Sequence, residues 1–254
     1  MIPLRDDVPS RTVPVVNYAL IALNAFAFLL ELGMGRDVQR FLQQTAVVPS
    51  LFTGADGALQ ATEVVTTSFD PALGGRVLLS MFLHGGWAHL LGNMLYLWIF
   101  GDNVEDRMGH VRYAVFYLLC GWAATYAHIA AAPTSTLPAL GASGAIAGVL
   151  GAYVTLYPRA RVITLLPLFI FVQVIQVPAY FFLGLWFLQQ FLYGTLSLAR
   201  TAQTEGGGVA WWAHIGGFAA GFLLVWLFQS RRRAPRQRDA WWEDQYRGRR
   251  VRGG

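Results

Sequence analysis

The sequence predicts an all-α polytopic membrane protein: six transmembrane helices in one bundle. Three observations predict it. Of 254 residues, 55% are hydrophobic and 13% charged, where a soluble domain carries about 25% charged residues. The mean hydropathy is +0.44, and the apolar residues gather in runs long enough to cross a hydrocarbon core of about 30 Å. The charges lie between the runs and in a tail: the net charge is +5, every basic residue is Arg, and nine Arg follow Ser230.

 The bland reading of that tail is a positive-inside anchor, and nucleic-acid binding is remote. Cys120 is the only cysteine and lies in an apolar run, so no intrachain disulfide can form.

Six spans are expected, at about 13–32, 78–100, 113–132, 143–157, 178–196 and 211–228. The first follows a short polar segment that lacks a cleavable signal pattern. The stretch 162–196 is nearly continuous apolar sequence broken by Pro167 and Pro178. It is too long for one helix and short for two. The expected span is its second part, with 162–177 a helix start or an apolar segment on the cytosolic side; a seventh span is the competing reading. The chain therefore divides into a cytosolic segment 1–12, a membrane domain 13–229 and an Arg-rich cytosolic tail 230–254.

Arg placement orients the spans. Arg159 and Arg161 lie in the 157–162 connection, the tail begins Arg231-Arg232-Arg233, and the 132–142 connection carries no charge. The positive-inside rule then places both termini and the 101–112 and 157–162 connections in the cytosol. The loops 33–77, 132–142 and 199–210 lie outside, the first of them folding onto the membrane face. Spans two, four and six begin on the outer side. Ser143 precedes Arg159 by 16 residues and His214 precedes Arg231 by 17. At 1.5 Å per residue both sit ~24–26 Å above the cytosolic charges, so they share a depth and are open to water from outside.

Polar groups at that depth are expensive unless they face a cavity and act there. Ser143 opens a helix in Gly141-Ala142-Ser143-Gly144. A serine at a helix start offers a hydroxyl nucleophile beside backbone N–H groups that have no intrahelical partner. The string alone fits helix packing as well, and Gly144-x-x-x-Gly148 is such a packing string. His214 is followed by Gly217-x-x-x-Gly221, which lets span six lie against span four and brings the imidazole to the serine as general base. His89 and Asn93, four residues apart, share a helix face and can both donate to an oxyanion; His84 lies one turn nearer the surface. Hydrogen bonding between helices is the plainer use of these three. Zinc is disfavoured, since His-Glu-x-x-His and an acidic ligand are absent. No carboxylate lies deep in the spans to orient His214, which points to a dyad.

Together these residues resemble the rhomboid intramembrane serine proteases, over about 76–227. His84-Gly-Gly-Trp-Ala-His89-Leu-Leu-Gly-Asn93 is similar to the family's His-x-x-x-x-His-x-x-x-Asn. Gly141-Ala-Ser143-Gly144 is similar to its Gly-x-Ser-Gly. His214 with Gly217 and Gly221 resembles its histidine and following glycines. Gly101-x-x-x-Glu105-x-x-x-Gly109, with Arg107, resembles its motif after span two. Two features depart from the pattern. The Trp-Arg pair usual in the first outer loop reads Gly75-Arg76, and the tyrosine that some members carry four residues after the serine is Ala147. No ring can stack on His214 from that position, which leaves open how the imidazole is held.

The resemblance implies a six-helix bundle with a short, central fourth helix, and hydrolysis of a peptide bond in or beside a substrate's transmembrane helix. Ser143 is the implied nucleophile and His214 the base and acid. The Ser143 amide, His89 and Asn93 are the implied oxyanion hole, with His84, Gly141, Gly144 and Gly217 supporting the site. Arg76, Gly101, Glu105, Arg107, Gly109 and Gly221 are expected to be structural. No cofactor or metal is implied. The expected partners are a membrane-protein substrate and the lipid bilayer, not nucleic acid. The expected location is a bacterial inner membrane, for want of a transit sequence or an extra span. A rhomboid-like client-binding protein without activity, and a channel or transporter, are the competing classes. Span five, rich in bulky aromatics and without small-x-x-x-small strings, is expected to be the mobile side of the bundle, with Phe182 and Trp186 as its gating rings.

Overall fold

A computed structural model describes residues 1–53, 71–168, 171–199 and 209–230. The tail 231–254, most of the 199–210 loop and residues 54–70 of the first loop lie outside the described residues. The described chain is mostly helical. After strand β1 (Ile2–Asp6) come α1 (Val15–Gly33), α2 (Val38–Thr45), α3 (Pro71–Ser80), α4 (Trp87–Met108), α5 (His110–Ala131) and α6 (Ser143–Leu156). Strands β2 (Arg161–Leu168) and β3 (Phe171–Pro178) precede α7 (Ala179–Ala199) and α8 (Trp211–Phe228). The six apolar helices are α1 and α4–α8, a polytopic membrane bundle. Among the described residues, α1, α5 and α8 are each long and apolar enough to cross a bilayer. Helix α6 has 14 residues, or about 21 Å of rise. It is the central helix, buried continuously from Gly144 to Tyr153 and packed against α4, α5 and α8.

Small residues let these helices close. A Cβ at Gly144 would lie 2.6 Å from the Ala124 methyl, and one at Gly148 would strike Cys120. Against α8, a Cβ at Gly217 would fall on the Gly144 carbonyl and one at Gly221 on the Gly148 carbonyl. Helices α6 and α8 thus meet main chain to main chain, as small residues at helix interfaces allow. Helix α1 attaches by a polar stripe: Asn17, Asn24 and Glu31 are buried with Leu20 and Phe28. Asn17 donates to the Leu97 carbonyl at 3.0 Å and accepts from the Tyr113 hydroxyl at 2.9 Å.

The second span differs from the expected 78–100. Helix α3 stops at Ser80, the chain turns, and α4 starts at Trp87. Gly85-Gly86 carries the cost of two residues with high backbone freedom, so the helix begins after them and His84 precedes it. At the other end α4 continues to Met108, and the expected 101–112 connection shrinks to Gly109, whose φ of +83° turns the chain into α5.

The stretch 162–177 is neither a helix start nor a span. It forms two strands, β2 antiparallel to β3 from Arg161↔Pro178 to Leu168↔Phe171. Strand β1 adds to the other edge of β2, from Ile2↔Leu165 to Asp6↔Val162, giving the order β1-β2-β3. β-branched residues dominate (Val162, Ile163, Thr164, Val172, Val174, Ile175, Val177), and Pro167 disfavours a helix interior. Val162 and Thr164 are buried, two residues apart on one face of the strand.

The connections segregate to two ends. At one lie the sheet, the start of α1 and the junctions after α4, α6 and α8. Asp6 accepts from the Asn103 amide at 2.9 Å and from the Tyr153 hydroxyl, and the Ser230 amide donates to the Arg107 carbonyl at 2.8 Å. At the other end the segment after α2 bridges Val47 to Ala139, tying the first loop to the loop before α6.

Candidate active site

Ser143 is the first residue of α6 and His214 lies in the first turn of α8. The Ser143 hydroxyl donates to His214 Nε2 at 2.8 Å. The other ring nitrogen, Nδ1, lies 2.7 Å from the side-chain oxygen of Gln190. With Nε2 accepting from serine, the ring proton sits on Nδ1 and donates to Gln190. Trp186, one turn before Gln190 on α7, tilts over the imidazole at 35° with ring centroids 5.9 Å apart. Trp211 meets it edge-on at 6.3 Å. Neither buried carboxylate reaches the pair: Glu31 accepts from the His84 amide at 3.1 Å, and Glu105 serves α1.

The loop before Ser143 needs its glycine. Gly141 has φ +124°, and its amide donates to the Ser80 carbonyl at 2.8 Å. A Cβ there would lie 2.7 Å from His89 Nε2 and 3.6 Å from Ser143 Oγ. The His89 ring edge and the serine hydroxyl therefore flank one small space beside Gly141. The Gly85 amide approaches His89 Nδ1 at 3.4 Å, which leaves the ring proton on Nε2, at that space. Asn93 donates to His84 Nε2 at 2.9 Å, and His84 Nδ1 reaches the Phe82 carbonyl at 3.3 Å. The two histidine rings stand edge to face, 5.1 Å apart. His84 is 1% exposed and backs Asn93 from outside the helix, just before α4 begins.

Beside Ser143 a recess of about 420 Å³, its open mouth included, runs between α5, α6 and the loops. Its walls are small residues such as Ala124, Ala139, Gly141 and Ala145, with Met81 and His128 among the larger ones. His128 Nδ1 is buried and has no partner among the described residues. Among the described residues no three His, Cys, Asp or Glu side chains gather as metal ligands.

The residues expected to be structural sit apart from the pair. Glu105, fully buried, accepts from the Val16 amide at 3.0 Å and the Asn17 amide at 2.7 Å. It thereby caps the first turn of α1, where amides lack partners and negative charge is favoured. A Cβ at Gly101 would strike the Asn17 side chain and lie 2.7 Å from the Tyr113 hydroxyl. Arg107 reaches the Gln229 side chain at 3.5 Å. Arg76 lies on α3, its Nη1 buried without a partner among the described residues.

Sequence reasoning missed Gln190, Trp186 as a neighbour of His214, and His128. The sequence signal for Gln190 is a pair of amides, Gln189-Gln190, in an apolar run, and it gains meaning only from the packing of α7 on α8.

A model of the rhomboid domain matches residues 74–231, more than half of the chain, and the chain belongs to the rhomboid family. It is 34% identical over 165 residues to RHOMBOID-like protein 4 of Arabidopsis thaliana, covering 62% of this chain and 35% of that protein. It is 31% identical over 163 residues to Rhomboid protein 1, mitochondrial, of Saccharomyces cerevisiae, covering 63% and 43%. It is 43% identical over 86 residues to Rhomboid protease GluP of Bacillus subtilis, covering 33% and 16%. The chain spans less than half the length of each of these curated relatives.

Proposed function

We propose that this protein is an intramembrane serine endopeptidase that hydrolyses a peptide bond in or next to a transmembrane helix of a membrane-protein substrate. The observation that carries the reading is the hydrogen bond from the Ser143 hydroxyl to His214 Nε2 at 2.8 Å. Ser143 Oγ attacks the scissile carbonyl as its proton passes to Nε2. The same nitrogen then gives that proton to the leaving amine. A water, deprotonated by His214, hydrolyses the acyl-enzyme. The Ser143 amide, His89 Nε2–H and the Asn93 amide stabilise the oxyanion. The membrane domain is 13–229. The end that bears the sheet and the Arg-rich tail faces the cytosol, and Ser143 opens toward the outer side of a bacterial inner membrane.

The test is labelling of the purified protein with a fluorophosphonate probe, alongside cleavage of a membrane-protein substrate. Ser143→Ala and His214→Ala each abolish labelling and cleavage while keeping the wild-type melting temperature, and the double variant is no worse than either single, because the pair acts as a unit. Wild-type protein that binds membrane-protein clients yet never labels or cleaves would overturn the protease reading in favour of a client-binding rhomboid.

A further inference from the structure

His214 needs a partner on its far side. An imidazole that accepts a proton at Nε2 must carry its other proton on Nδ1, and that proton needs an acceptor when buried. In hydrolases of this chemistry a carboxylate commonly fills that place. Here α6 offers nothing, since Ala147 is a fully buried methyl, and the nearby titratable groups His89 on α4 and His128 on α5 are not bonded to Nδ1. What reaches Nδ1 comes from α7. Gln190 is 5% exposed and its oxygen lies 2.7 Å away. A buried amide in a membrane helix is costly unless it is bonded, and this is the bond the structure gives it. Trp186 and Gln190 are four residues apart on one face of α7, one over the ring plane and one at its edge.

We propose that Gln190 is a positioning residue for the dyad, an uncharged substitute for the carboxylate of a triad: its oxygen holds the Nδ1 proton and so keeps Nε2 free for Ser143. The inference rests on the Ser143–His214 reading above. During attack the ring becomes an imidazolium, and the bond from Nδ1–H to Gln190 becomes charge-assisted and stronger. The glutamine therefore contributes more in the transition state than in the ground state, which raises kcat rather than lowering KM.

The test compares Gln190→Leu, Gln190→Met and Gln190→Glu in the full chain, with a soluble peptide substrate and the fluorophosphonate probe. Leu and Met keep comparable volume and remove the acceptor; Glu restores an acceptor oxygen. Loss of the bond slows labelling and kcat by about ten- to a hundredfold, with KM nearly unchanged, and Gln190→Glu recovers most of the rate. Nitrogen-15 NMR of histidine-labelled protein, with His214 assigned by its absence in His214→Ala, shows the Nδ1–H tautomer in wild type and in Gln190→Glu and a tautomer mixture in Gln190→Met. Folded Leu and Met variants that turn over at the wild-type rate would overturn the role of Gln190 while leaving the dyad intact. A Glu variant that is folded and as slow as Leu would assign Gln190 to packing. A wild-type protein that fails to label would instead overturn the dyad itself.

Discussion

Asn93 shows how a single side chain is prepared for a task by its neighbours. One of its amide hydrogens is committed to His84 Nε2 at 2.9 Å, and His84 is fixed in turn by the Phe82 carbonyl and, through its own amide, by Glu31. Under the proposed function, the remaining hydrogen serves the oxyanion. Asn93→Ala is expected to lower kcat, by at most the 10²–10³-fold typical of one lost oxyanion donor, since the Ser143 amide and His89 remain. His84→Ala is expected to lower kcat less, and the double variant to match Asn93→Ala, because His84 acts through Asn93. A double-mutant cycle on peptide turnover checks this. Additive losses would mean that the two residues act separately. Ser143, His84, His89, His214 and Asn93 each stand in a short motif, so the sequence alone singles them out as candidates. Gln190 was not, because no spacing within α7 marks it. Its role exists only where α7 meets α8.

At the scale of elements, α6 and α8 were read with their ends nearly correct, and the glycine strings explained why they pack. For 162–177 the helix start and the extra span both fail, and only the apolar segment outside the spans remains, as strands. Apolar composition alone does not separate a membrane helix from a sheet strand, and the pairing partner that decides the matter, β1, lies some 160 residues away in sequence. That sheet is held to the bundle by Asp6, which touches Tyr153 and Asn103. Burial pushes the Asp6 carboxyl up to about 6, with the Tyr153 hydrogen bond opposing the rise and Asp7 adding to it. A carboxyl raised in the folded state binds its proton more tightly there than when unfolded. Its stabilising contribution is full below about pH 4 and is lost as pH rises through about 6. Asp6→Asn stays neutral, so its melting temperature in detergent should vary less than the wild type's between pH 4 and pH 7. An identical pH dependence in the two proteins would show that Asp6 is not the titrating group.

For the whole molecule, the proposed substrate entry and the proposed catalysis draw on the same helix. Helix α7 was expected to yield to a membrane substrate, with Phe182 and Trp186 as the rings to trim. The two rings touch different partners. Phe182 is buried, 6.5 Å from Phe100, and Trp186 lies over His214. Phe187 is the better probe of loosening. It packs on Phe218 of α8 at 4.8 Å and has no ring contact with the imidazole among the described residues. Phe187→Ala should raise turnover of a membrane substrate relative to a soluble peptide, whereas Trp186→Ala should lower both. The measurement is the ratio of the two rates in each variant. A fall in both rates for Phe187→Ala, with a lower melting temperature, would mean that the ring is packing alone. The order of spans and the segregation of loops were legible from hydropathy and Arg placement. Which residues of α7 face inward was not, because the helix is apolar on nearly every side.

The main-chain contact between α6 and α8 bears on when the protein becomes competent during its own manufacture. Translation delivers the serine helix first and the histidine helix some seventy residues later. Until Gly217 and Gly221 seat on the carbonyls of Gly144 and Gly148, the hydroxyl has no base and the imidazole has no nucleophile. Under the proposed chemistry, a nascent chain passing through the insertion machinery is surrounded by other unfinished membrane helices and cannot cut them. Under that same chemistry, activity waits on this helix-to-helix closure, and the glycine faces become a built-in check that assembly is complete.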